Sequence, residues 1–78
     1  MNIPYFIVRM QYFKNGEVTN TSEISYSKNQ AIAKHYNYVG EDMENQELSG
    51  SSCTVLNWLG ENVINNSWGE LPIIELEE

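Results

Sequence analysis

His35 and Cys53 are the two side chains here that come nearest to a catalytic pair. A histidine base beside a cysteine generates a thiolate nucleophile, provided a third group orients the imidazole and the thiol is activated. No family pattern surrounds either residue. His35 lies beside an apolar helical stripe and Cys53 opens an apolar run. The sequence therefore favours a helix-flank histidine and a buried strand cysteine. Glu41, Glu44 and Glu47 are spaced i, i+3, i+6. That spacing spirals around a helix and does not converge on one ion, so no metal site is expected. The five glycines are scattered singly, which leaves no phosphate-cradling loop. The expectation is a non-enzymatic protein without metal or cofactor.

Trp58, Trp68, Tyr26 and Tyr38 could stack on nucleobases, but single-strand binders pair such platforms with a basic groove. Here four basic residues face eleven acidic ones, for a net charge of −7. Arg9, Lys14, Lys28 and Lys34 all precede position 35, opposed there only by Glu17 and Glu23, so residues 1–40 carry +2. Residues 41–78 hold nine acids and no base, which is −9. Such a chain repels nucleic acid and anionic membrane alike. An acidic surface suits solubility, a basic protein partner, or mimicry of a phosphate backbone. The aromatics then read as core or subunit-interface packing.

The elements that position these groups are few. A chain of 78 residues is expected to form one domain with a small core. Residues 5–13 and 17–26 read as two strands. Lys14-Asn15-Gly16 joins them, and the side-chain pattern selects the turn. A two-residue loop would set the apolar face against Thr and Ser. A three-residue loop with Gly16 left-handed sets Phe6 opposite Ile24 and Tyr12 opposite Val18. Ser27 and Gln30 form a capping box for a helix from Lys28 to about Gln46, with Ile32, Tyr36, Val39 and Met43 as its apolar stripe. Ser49–Ser52 reads as a linker, residues 53–59 as a third strand, residues 60–62 as a turn and residues 63–68 as a fourth strand. Residues 71–78 read as an acidic tail, an edge strand or a segment that docks on a partner. The fold class is α+β: a four-stranded, mainly antiparallel sheet in ββαββ order with one helix on one face. Some parallel pairing across the crossover is left open.

Two surfaces follow. Glu41, Asp42, Glu44 and Glu47 stand at the end of the helix, where acids oppose the dipole. An unfavourable charge cluster at that position is the candidate partner-binding surface. Tyr5, Ile7 and Phe13 occupy the second face of the first strand and are expected to lie opposite the helix as the apolar interface of a homodimer.

A single cysteine cannot form an internal disulfide, and a reducing compartment is expected. No basic region followed by an apolar run marks a signal peptide, and no apolar stretch approaches the ~18–20 residues that span a bilayer. The expected location is the cytoplasm of a bacterial host. Ten asparagines make the Asn20-Thr21-Ser22 and Asn65-Asn66-Ser67 triplets chance matches to a glycosylation pattern.

The order of strand, Asn-Gly turn, strand, Ser-capped helix, strand, turn, strand and Trp resembles small ββαββ proteins encoded by tailed phages and prophages of AT-rich Gram-positive bacteria. Residues 5–16, Ala31 to Tyr38, and Cys53-Thr-Val-Leu through Trp68 carry the resemblance. It implies a phage or prophage origin and transfers no active residue. The helix end Glu41-Asp-Met-Glu is more acidic than the resemblance requires.

The expected function is a phage-type binding protein that inhibits or modulates a host factor, such as a defence factor, by presenting its acidic surface to a basic cleft. The first alternative is a small virion or assembly component that packs through its sheet face. The second is a homo-oligomer that sequesters a small nucleotide, against which the negative charge counts.

Overall fold

The computed structural model describes residues 3–69, in which strand β1 (Tyr5–Phe13) and strand β2 (Val18–Ser25) are followed by helix α1 (Lys28–Glu44), strand β3 (Leu48–Leu56) and strand β4 (Asn62–Gly69). The sheet order is β2-β1-β3-β4, and all three pairings are antiparallel. This is the α+β arrangement in ββαββ order. The crossover from β2 to β3 passes over β1, so no parallel pair is formed. The proposed tail at residues 71–78 lies outside the described residues.

The β1–β2 hairpin follows from local chemistry. Phe6 pairs with Ile24 and Tyr12 with Val18. Phe13 N–H donates to the Glu17 carbonyl (2.8 Å) and Gly16 N–H to the Phe13 carbonyl (3.0 Å), closing a three-residue loop. Gly16 has φ 95°, a conformation that side-chain-bearing residues adopt only at a cost. Asn15 Oδ1 accepts from Glu17 N–H (2.9 Å) and stiffens the turn.

Ser27 caps α1 by accepting from Gln30 N–H (3.3 Å). The reciprocal half of the capping box is supplied differently: Ser27 N–H donates to Ser25 Oγ (3.3 Å). At the other end Asn45 caps the helix, its N–H reaching the Asp42 carbonyl (3.2 Å).

The segment expected to be a linker, Ser49–Ser52, is the first half of β3. Propensity disfavours it, but pairing with β1 on one side and β4 on the other overrides propensity. Its small residues permit close backbone approach. Gly69 lies so near Ser49 that an added Cβ would sit 2.2 Å from the Ser49 carbonyl oxygen. Trp58 and Leu59, expected within the third strand, belong to a turn instead. There Asn57 Oδ1 accepts from Leu59 N–H and Glu61 N–H, each at 2.9 Å.

The helix is rotated by one residue from the expected stripe. Its buried positions are Ala31, His35 and Asp42, with Tyr38 and Val39 partly buried. Tyr36 and Met43 are exposed. Residues 31, 35, 38 and 42 keep the helical spacing of the expected set, displaced by about 100° around the axis. The apolar periodicity misleads because the interface is partly polar: Asp42 is held by the sheet.

The helix also covers the other face of β1. Ile7 is buried with Ala31, Cys53 and Val55, and Tyr5 packs against that cluster. Arg9 and Gln11 bond to Asp42 on the same side. Tyr5, Ile7 and Phe13 are therefore not an exposed dimer surface: Tyr5 and Ile7 contribute to the helix-side core, and Phe13 lines a shallow cleft beside the helix exit. The open face carries Phe6, Val8, Met10 and Tyr12.

Candidate functional site

The most elaborate arrangement of polar side chains lies between α1 and the sheet. The strand pleat puts Arg9 and Gln11 beneath the last turns of the helix, where Asp42 points inward and is completely buried. Arg9 donates to Asp42 from Nε (3.2 Å) and Nη2 (2.5 Å), a two-pronged pairing. Gln11 Nε2 donates to Asp42 Oδ1 (2.8 Å), and Gln11 Oε1 accepts from Thr19 Oγ1 (2.9 Å). The Arg9 guanidinium stacks on the Tyr38 ring, 4.4 Å from its centroid. Tyr38 OH donates to Glu23, which also pairs with Lys34 (3.3 Å).

The electrostatics follow from these partners. Bonding to Asp42, assisted by the charges of Asp42 and Glu41, raises the Arg9 pKa above its ordinary value. The Tyr38 hydroxyl holds Glu23 below the usual carboxylate range, with help from Lys34. Tyr38 in turn is pushed up to about 12, first by its bond to Glu23. The network is internally paired, so it orients the helix on the sheet and leaves little capacity for a ligand.

This geometry divides the expected acidic surface. Asp42 does not belong to it, because Arg9 and Gln11 draw the carboxylate into the interior. Glu41, Glu44 and Glu47 are exposed. Glu41 lies 3.5 Å from Arg9 but keeps 65% of its side chain accessible. The hairpin turn adjoins them, because Phe13 pairs with Leu48 and Lys14 N–H donates to the Glu47 carbonyl (2.9 Å). That junction brings exposed Glu17 and Lys14 to the same end of the molecule. Between turn and helix exit lies an open cleft of about 380 Å³ lined by Phe13, Lys14, Asn15, Gln46 and Glu47.

His35 and Cys53 are both fully buried. His35 Nε2 is 2.7 Å from Asn66 Oδ1, and Nδ1 has no hydrogen-bond partner among the described residues. Burial pushes the Cys53 thiol up to about 11, which keeps it protonated and weakly nucleophilic near neutrality. Among the described residues no group of three His, Cys, Asp or Glu side chains could hold a metal ion, and no helix is long and apolar enough to cross a membrane. The four aromatics considered as a stacking platform are dispersed. Trp58 and Tyr26 are exposed, whereas Tyr38 lies under Arg9 and Trp68 is partly buried.

Arg9 and Gln11 were not expected to be site residues. Their signal in the sequence is weak: two polar residues alternating with Ile7 on one face of an otherwise apolar strand.

No protein-family model, curated protein or solved structure matches this chain.

Proposed function

We propose that this chain is a non-enzymatic binding protein that docks on a basic cleft of a protein partner through the end where the hairpin turn meets the helix exit. The observation that carries this reading is the gathering of Glu17, Glu41, Glu44 and Glu47, all exposed, at one end of the molecule. Of the four basic side chains, Arg9 bonds to Asp42 and reaches only Glu41 among these acids, at 3.5 Å, while Lys34 pairs with Glu23. Carboxylates on a helix and a tight turn offer fixed negative charge to a surface built for phosphates, and such charge steers association. The biological setting that fits is a phage-encoded antagonist of a host factor, acting in the bacterial cytoplasm.

The test uses Glu41→Gln, Glu44→Gln and Glu47→Gln together, since the amides preserve shape. Capture of a partner from host extract should weaken sharply between roughly 0.05 and 0.5 M salt, where screening lengths shrink about threefold. Duplex DNA should compete, and the triple variant should associate about tenfold more slowly or worse. Salt-independent capture that tolerates the triple variant would refute the acidic docking surface.

One observation favours the assembly-component alternative: the uncovered sheet face, with Ile24 and Val18 more than half exposed. A lattice-forming role would need that face to pack against other virion proteins.

A further inference from the structure

The sheet face opposite α1 has an internal symmetry that says what covers it. The row Thr21–Arg9–Cys53–Asn66 runs straight across the four strands, since Arg9 pairs with both Thr21 and Cys53, and Cys53 with Asn66. The side chains of the open face lie in matched positions on either side of that row. On β1, Val8 and Met10 flank it, and Phe6 and Tyr12 lie one step beyond. On β2 the flanking pair is Asn20 and Ser22, with Val18 and Ile24 beyond. On β3 Ser52 and Thr54 flank it, and on β4 Asn65 and Ser67 do. On these three strands polar residues flank the row and on β1 apolar residues do. The chemistry is palindromic beside the row on all four strands and one step further out on β1 and β2; the outer positions of β3, Gly50 and Leu56, depart from it.

We infer that this face is covered by a second copy of the chain, related by a two-fold axis that lies between the two sheets and runs along that row. Such an axis lays each strand on its own copy in the opposite direction. Val8 then meets the region of the second copy's Met10, and Phe6 that of its Tyr12. Asn20 meets Ser22, Val18 meets Ile24, and Ser52 meets Thr54. Apolar therefore meets apolar and polar meets polar, the self-complementarity that an isologous interface requires. An unrelated partner would have no need of that symmetry.

Charge supports the same occupant. None of the charged side chains among the described residues belongs to this face: Arg9 and Glu23 point to the helix side, and the rest lie in α1, in turns or in connections. A chain of net charge −7 can thus meet its own copy without placing like charges in contact. Size supports it too. Four strands of about eight residues span about 20 by 26 Å, a planar footprint of about 500 Å². Side-chain relief raises the accessible area toward the ~600–1,000 Å² per partner that stable interfaces bury. The molecule is a thin slab, with extents of 43 × 36 × 15 Å, and its buried apolar residues in the described region are Ile7, Ala31, Leu48, Cys53 and Val55. Packing two sheets about 10 Å apart would add a second core around the half-buried Phe6, Val8, Met10 and Tyr12.

Sedimentation equilibrium of the full chain at tens of micromolar is expected to give a closed dimer. Val8→Lys should loosen it by about a hundredfold or more, because the charge would be desolvated at the centre. Met43→Lys, on the outward face of the helix, should leave it unchanged. Ser52→Glu and Thr54→Lys test the register with little risk to the fold, since both positions are only partly buried polar sites. Chains carrying one substitution mixed with chains carrying the other should form a heterodimer at least tenfold tighter than either homodimer. A monomer at these concentrations, a larger open-ended assembly, a dimer indifferent to Val8→Lys, or no heterodimer preference would overturn the inference.

Discussion

Asp42→Asn separates the geometry of the helix–sheet interface from the surface role that the sequence suggests for this residue. An exposed acid in the last turn of a helix opposes the dipole, so its neutralisation would stabilise the chain by about 0.3–1 kcal/mol. The buried geometry reverses the sign. Asp42 accepts two bonds from Arg9 and one from Gln11, and its side chain is 1% exposed. Removing one member of a sealed ion pair costs about 3–5 kcal/mol, because the survivor is left desolvated and unpaired. Arg9 is 18% exposed and has Glu41 at 3.5 Å, so it recovers part of that loss. The expected destabilisation is about 2–4 kcal/mol. A domain of this size has about 4–12 kcal/mol in total, and the midpoint should fall by roughly 10–30 °C. Urea and thermal unfolding at pH 7, followed by circular dichroism at matched concentration, measure the effect. Glu44→Gln is the comparator and should be neutral or slightly stabilising. The double variant Arg9→Met with Asp42→Leu should recover much of the loss, since it leaves no buried charge unpaired. An Asp42→Asn protein as stable as the unmodified chain would refute the buried pairing.

Gly16→Val should cost more than about 1 kcal/mol, because φ 95° is closed to a β-branched residue; an unchanged melting temperature would contradict the turn. Stability should also fall on the alkaline side. Cys53 is raised from 9.0 to about 11 by burial, and Tyr38 from 10.0 to about 12 by its bond to Glu23. The folded chain keeps both protons where the unfolded chain releases them, so stability is intact below about pH 9 and declines between about pH 9 and 12. Unfolding titrations across that window check the decline, and Cys53→Ala should remove its lower part. A thiol reagent should label Cys53 only as fast as the chain opens; rapid labelling of the folded protein would show that the thiol is accessible.

The hairpin and the start of the helix were legible from residues 5–30 because their determinants are local. Gly16 specifies the loop, the pleat then specifies which side chains share a face, and Ser27 marks the first helical turn. The weak middle of the chain was misread for the opposite reason. Ser49–Ser52 becomes strand only because β1 and β4 pair with it from both sides, a non-local gain invisible to propensity. Alternation also cannot say which face of a strand the helix will cover when both are apolar, as on β1, where Phe6, Val8, Met10 and Tyr12 compete with Tyr5, Ile7 and Phe13. Tertiary structure settled that choice through the polar residues of the second set. Desolvating the Arg9 charge calls for a paired anion, Asp42 of α1 supplies it and also accepts from Gln11, and the pairing turns the helix one residue away from its apolar stripe. By itself the sequence determined the elements, their order and the uneven charge. The choice of inner face, the burial of Asp42 and the face left uncovered depended on which distant groups could satisfy one another out of water.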